Sequence, residues 1–155
     1  MKKIRPYIIS VLIAIGVGAL SAFITRDYMN IYQIIQSPPL APPSVVFPVV
    51  WTILYALMGI GSAIIYTECG GTYECSGALR VYALQLAVNF FWSIIFFRWR
   101  MYFFAFLWLL LLIALVAVMI IRFWRIKPVA GYLQIPYIAW LIFAAYLNFA
   151  IFILN

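Results

Sequence analysis

Large rings and side-chain amides recur at helical spacing in three separate stretches of the chain. Phe47, Trp51 and Tyr55 fall at i, i+4, i+8; Gln85, Asn89, Trp92 and Phe96 at i, i+4, i+7, i+11; Tyr137, Trp140, Ala144 and Asn148 at i, i+3, i+7, i+11. Such spacing puts each set on one face of a helix. If the three faces converge, they enclose a ring-lined apolar space with a few amide handles, which suits a flat, largely hydrophobic ligand. Acid–base chemistry has no carrier: the chain has no histidine, and its three acids, Asp27, Glu68 and Glu74, lie at helix ends or in loops. With no imidazole to shuttle protons and no ionisable group inside a membrane segment, a proton pump or a conventional hydrolase is excluded. Two cysteines without histidine make a poor metal set, so neither a metal nor a resident cofactor is expected. A plainer reading of the same residues stands beside this one. Rings gather in interfacial belts, and amides hydrogen-bond neighbouring helices. Trp51, Asn89 and Trp140 lie well inside their segments, where indole and amide groups need hydrogen-bonding partners.

The elements that must position these residues follow from the charges. Of 155 residues, 69% are hydrophobic and 8% charged, against about 45–50% and about 25% in a soluble domain. Uncharged runs of 20, 17, 21 and 28 residues follow Arg5, Arg80, Arg100 and Lys127, and Tyr28 to Thr67 is also free of charge. A helix crosses the hydrocarbon in about 20 residues. The fold class is therefore all-α and integral to the membrane. A single domain over 1–155 has five transmembrane helices near 6–25, 44–67, 79–98, 101–122 and 129–153. Too few segments are present for the paired inverted repeats of large secondary transporters. The first helix reads as retained rather than cleaved, since "SAFITRDYMN" offers no small-x-small site before the charge.

Lys and Arg punctuate the two sides unequally. Lys2, Lys3, Arg5, Arg80, Arg122, Arg125 and Lys127 fall on the N-terminal side, and Arg26, Arg98 and Arg100 on the other. The positive-inside bias places the N-terminus in the cytoplasm. That bias and anionic lipid account for the net charge of +7 without a nucleic-acid partner. Cys69 and Cys75 then lie in a cytoplasmic connection, where reduced thiols are expected, although their spacing also permits a small disulfide loop. Pro38, Pro39, Pro42 and Pro43 predict a stiff, extended connection before the second helix, able to fold over the bundle mouth as a lid. Ser44 is the expected N-cap, Pro48 sits near the first turn, and Pro136 is expected to kink the fifth helix beside Tyr137 and Trp140. Ala14, Gly18 and Ala22, with Gly59 and Ala63, offer close helix approach, either within one bundle or at a dimer seam.

Three blocks carry a resemblance. "YQIIQSPPLAPPSVVFPVVWTILYALMGI", "QLAVNFFWSIIFF" and "PYIAWLIFAAYLN" resemble, in order and spacing, the signature blocks of the TspO/translocator protein family. These are the tryptophan-rich sensory proteins, which include the mitochondrial peripheral benzodiazepine receptor. The resemblance implies a five-helix bundle, commonly a homodimer in bacterial members, and a cavity that binds protoporphyrin IX-like tetrapyrroles as ligands rather than cofactors. It implies contacts at Tyr32, Pro42 and Pro43 near the mouth, and at Trp51, Asn89, Trp92, Trp140 and Ala144 deeper in. Ala144 matches a small position where a bulkier residue perturbs binding. Bacterial relatives imply a second activity, light- and oxygen-dependent porphyrin breakdown, for which Trp51 and Trp140 are the candidates. The sterol motif of mitochondrial members is incomplete here, because "YLNFAIFILN" ends without Lys or Arg; "RVYAL" fits a reversed pattern that carries little weight.

Overall fold

Where no water reaches the backbone, each N–H and C=O must be satisfied within its own segment, so long apolar runs fold as helices. The computed structural model describes residues 2–69 and 71–155, except for the side chain of Tyr32. Its helices are α1 (Arg5–Thr25), α2 (Val46–Cys69), α3 (Tyr73–Ser93), α4 (Tyr102–Ile126), α5 (Pro128–Tyr132) and α6 (Ile135–Leu154). A 3₁₀ segment, Arg26–Gln33, extends α1, and a wide turn, Ile94–Arg98, extends α3. α5 and α6 together form one crossing, so five helical segments among the described residues are long and apolar enough to span a membrane. No strand occurs among them.

Several boundaries differ from the sequence expectation for local reasons. α3 begins at Tyr73 rather than near 79, because the Thr72 hydroxyl accepts from the Cys75 N–H at 3.5 Å and caps the helix within the polar stretch. α2 begins at Val46, with Ser44 in the turn before it rather than as the cap; Pro48 lies in the first turn as expected. The first half of the interhelical connection is 3₁₀ helix rather than extended chain. Pro136 does not kink a continuous helix. The crossing breaks at Leu133–Gln134, and Pro136 falls in the first turn of α6, where its missing N–H costs least. Cys69 and Cys75, expected as free thiols, are joined in a disulfide. The turn through Gly71, at φ +92°, sets their Cα atoms 6.0 Å apart, inside the range a disulfide spans.

All but Ala22 of the small-residue stripes pack inside the bundle. A Cβ on Gly59 would stand 2.5 Å from the Cα of Val11, and one on Gly18 would enter the Tyr55 ring. α1 and α2 therefore lie backbone to backbone at Gly59, while α4 packs on α3 and α6. The main core joins Met58, Leu109, Leu112, Met119, Phe123 and Leu141. A second cluster, Ile31 with Ile95, Phe96, Phe97, Ala105 and Ile151, pins the 3₁₀ segment to the wide turn and to α6.

Candidate ligand cavity

Above that second cluster the connection turns inward. Gln33, Ile35, Ser37, Pro38, Ala41, Pro42 and Ser44 form the roof of a cavity of about 240 Å³, with Phe47, Trp92, Phe96, Ala144, Leu147, Asn148 and Ile151 as its walls and floor. Three hydrogen bonds hold the roof down. The Gln36 N–H donates to Asn155 Oδ1 at 3.1 Å, Asn155 Nδ2 donates back to the Gln36 carbonyl at 3.3 Å, and the Tyr146 hydroxyl donates to the Pro39 carbonyl at 2.8 Å. Leu40 takes a left-handed conformation at φ 69°, which reverses the chain between the proline pairs.

The recognition surface inside is aromatic. Trp92 and Phe96 are stacked with centroids 5.2 Å apart at 24°, and Phe96 leans on Tyr102 at 5.1 Å. Asn148 fixes this stack. Its Oδ1 accepts from Trp92 Nε1 at 3.1 Å, while its Nδ2 donates to the Tyr102 carbonyl at 2.8 Å. An indole so held offers a rigid flat face and gives up little conformational freedom on binding.

Deeper in the bundle, four of the residues singled out from the sequence form a hydrogen-bonded chain. Tyr55 donates to Asn89 at 3.1 Å, Asn89 to the Tyr137 hydroxyl at 2.6 Å, Tyr137 to Gln85 Oε1 at 2.8 Å, and Gln85 Nε2 to Met58 Sδ at 3.6 Å. Tyr55, Gln85, Asn89 and Tyr137 are all buried and satisfy one another across α2, α3 and α6. In an apolar interior a fully satisfied network of this kind fixes register.

The sequence comparisons bear on this arrangement. The sequence model of the TspO/MBR family matches residues 9–154. The chain belongs to the TspO/MBR family. It is 39% identical over 128 residues to the translocator protein of Ovis aries, covering 82% of this chain and 76% of that one. Against the translocator protein of Homo sapiens it is 36% identical over 132 residues, 84% and 78% of the two chains. Against the tryptophan-rich protein TspO of Chlorobaculum tepidum it is 31% identical over 155 residues, 99% and 98%.

Of the positions singled out from the sequence of this TspO/MBR member, Pro42, Phe47, Trp92, Phe96, Ala144 and Asn148 line the cavity. Pro43 is exposed in the same roof, and the Tyr32 side chain lies outside the described residues. Tyr55, Gln85, Asn89 and Tyr137 sit behind the cavity in the network. Trp51 packs on the network, its ring 5.6 Å from Tyr55 and 6.2 Å from Tyr137. Trp140 backs onto the wall residue Phe47 at 5.8 Å. Sequence reasoning passed over Leu147 and Ile151, although Ile151 continues the Ala144 stripe by i+7. The roof residues Gln33, Ile35, Ser37, Pro38, Ala41 and Ser44 have no periodicity to reveal them.

Proposed function

We propose that this TspO/MBR protein is a membrane receptor for a flat, largely apolar ring ligand of the tetrapyrrole class, protoporphyrin IX being the test case. The observation that carries this reading is the stacked Trp92–Phe96 face, locked by Asn148, at the bottom of a roofed apolar cavity. The family membership and the signature blocks support the same ligand class. The test is titration of protoporphyrin IX, in the dark, into purified protein in detergent, following tryptophan fluorescence. Saturable quenching is expected, weakened in Trp51→Phe and Trp140→Phe, and weakened by at least about tenfold in Ala144→Leu, which fills the floor. Quenching that never saturates, with a folded protein, refutes the reading.

The same samples, illuminated in air, test breakdown of the porphyrin. A new absorbing product in wild type, absent in both tryptophan variants, would make the protein an enzyme; bleaching equal to that of free porphyrin would leave it a receptor. We also propose a homodimer, and an N-terminus on the cytoplasmic side, supported by the charge count. Within the α1–α2 stripes Gly18 and Gly59 face inside one bundle, while Ala22 is exposed.

A further inference from the structure

The cavity has a second boundary besides its roof. A groove of about 380 Å³ opens between α2 and α6, lined by Val50, Ile53 and Leu54 on one bank and by Ala139, Trp140 and Phe143 on the other. Its lining is almost wholly hydrocarbon and ring. Ile53 and Ala139 are exposed on the outside of the bundle, so in a membrane the groove faces lipid. A pair of rings in contact lies between groove and cavity. Phe47 lines the cavity and meets Trp140 edge-on at 5.8 Å and 68°, while Trp140 lines the groove. About one turn further along α6 the division repeats, with Phe143 on the groove and Ala144 on the cavity.

The indole in this wall lacks the hydrogen bond that its neighbours make. Trp92 Nε1 donates to Asn148, and Trp108 Nε1 donates to the Val88 carbonyl at 2.7 Å. Trp140 Nε1 is buried and has no hydrogen-bond partner among the described residues. A buried donor without a partner carries a desolvation cost that any acceptor reaching it would relieve. The roof, by contrast, is tied by three hydrogen bonds. At about 240 Å³ the cavity is also below the roughly 300–1,000 Å³ of pockets that hold drug-sized molecules. Some wall must move to admit a ligand. α2 and α6 are tied deeper down, where Gln134 Nε2 donates to the Leu57 carbonyl at 3.1 Å and Asn89 bridges Tyr55 to Tyr137, but the Trp140 indole beside the cavity carries no such bond.

We propose that the Phe47–Trp140 pair is a lateral gate, through which a planar apolar ligand dissolved in the bilayer enters the cavity between α2 and α6. The inference rests on the binding reading above and adds its route. The ligand class is a flat hydrocarbon-rich molecule bearing a hydrogen-bond acceptor. Such a molecule partitions into lipid, fits the groove, and gives the Trp140 N–H its missing partner as the ring turns aside.

The test uses the full chain in phosphatidylcholine vesicles, loaded with protoporphyrin IX in the dark and then diluted into empty vesicles. Recovery of tryptophan fluorescence reads release, and a parallel titration reads affinity. Ala139→Phe, which obstructs the groove from the lipid side, is expected to slow release about tenfold, one step of ~1.4 kcal/mol in barrier, with affinity unchanged. Ile53→Phe on the opposite bank is expected to do the same and carries the test if the first variant misfolds. Tyr146→Phe, which unties the roof from α6, is expected to leave release unmoved. Release unaffected by both groove substitutions, or quickened by Tyr146→Phe, places the route at the roof and overturns the gate. Absence of saturable quenching in wild type removes the binding reading itself, whereas normal binding with unmoved rates removes the gate alone.

Discussion

Asn89 and Asn148 are the same side chain in two different positions of use. Asn89 accepts from Tyr55 and donates to Tyr137, buried between three helices and outside the cavity lining. Asn148 orients the Trp92 ring and borders the cavity. Asn89→Ala leaves the Tyr55 hydroxyl without its acceptor in a buried site, and is expected to destabilise by about 1–3 kcal/mol. The measurement is the thermal unfolding midpoint in detergent, with protoporphyrin affinity of the folded fraction holding near wild type. Ala144→Leu is expected to do the reverse: binding weakens by at least about tenfold, or ~1.4 kcal/mol, while the midpoint stays put. If Asn89→Ala weakens binding without loss of stability, the buried network belongs to the site after all. Periodicity put both asparagines on ring-bearing faces and could go no further. Which amide is consumed by partners depends on where Tyr55, Tyr102 and Tyr137 arrive from other helices, and spacing along one helix holds no information about that.

Elements were easier to read than partnerships, because in this chain Lys and Arg stand almost solely at segment ends. Charge spacing therefore located all five crossings. It missed the early start of α3, where a threonine cap works inside a polar stretch, and the break at Leu133–Gln134, which falls ahead of the proline that announced it. The α1–α2 seam is where an element-level prediction is sharpest. At Gly59 a methyl group would meet Val11 backbone at 2.5 and 2.8 Å, and backbone cannot swing away as a side-chain tip can. Gly59→Ala is expected to cost about 1–3 kcal/mol through overpacking. Gly16, two residues before Gly18 on α1, has open space where its Cβ would stand. Gly16→Ala should be neutral or stabilising by up to ~1 kcal/mol, from helix propensity. Unfolding midpoints of the two variants in the same detergent compare them directly; equal behaviour would mean that the two helices separate readily and the seam is not tight.

Across the whole molecule the charges sort to two ends, and the packing confirms which segments share an end. Lys127 Nζ meets Glu68 at 3.4 Å, joining the close of α2 to the α4–α5 joint, while Arg98 lies over the Tyr28 ring at 5.8 Å, joining the wide turn to the 3₁₀ segment. The Lys127 end also carries Arg80, Arg122 and Arg125 and the Cys69–Cys75 bridge. Two rules pull this end in opposite directions: basic residues favour the cytoplasm, whereas a lasting disulfide favours an oxidising compartment. The charge rule acts during insertion and fixes which side the end occupies; the compartment then decides whether two thiols held 6.0 Å apart at Cα remain bonded. With the proposed orientation, the pair is therefore reduced in growing cells and closes on oxidation. Lysis into acid followed by maleimide–polyethylene glycol is expected to add two labels per chain without prior reductant, and none after brief treatment of the cells with diamide. A green fluorescent protein fused before Lys2 is expected to fluoresce, and one fused after Asn155 to stay dark, because five crossings put these residues on opposite sides. Unlabelled cysteines in untreated cells together with a bright C-terminal fusion would invert the molecule, placing the proline roof in the cytoplasm and the disulfide outside.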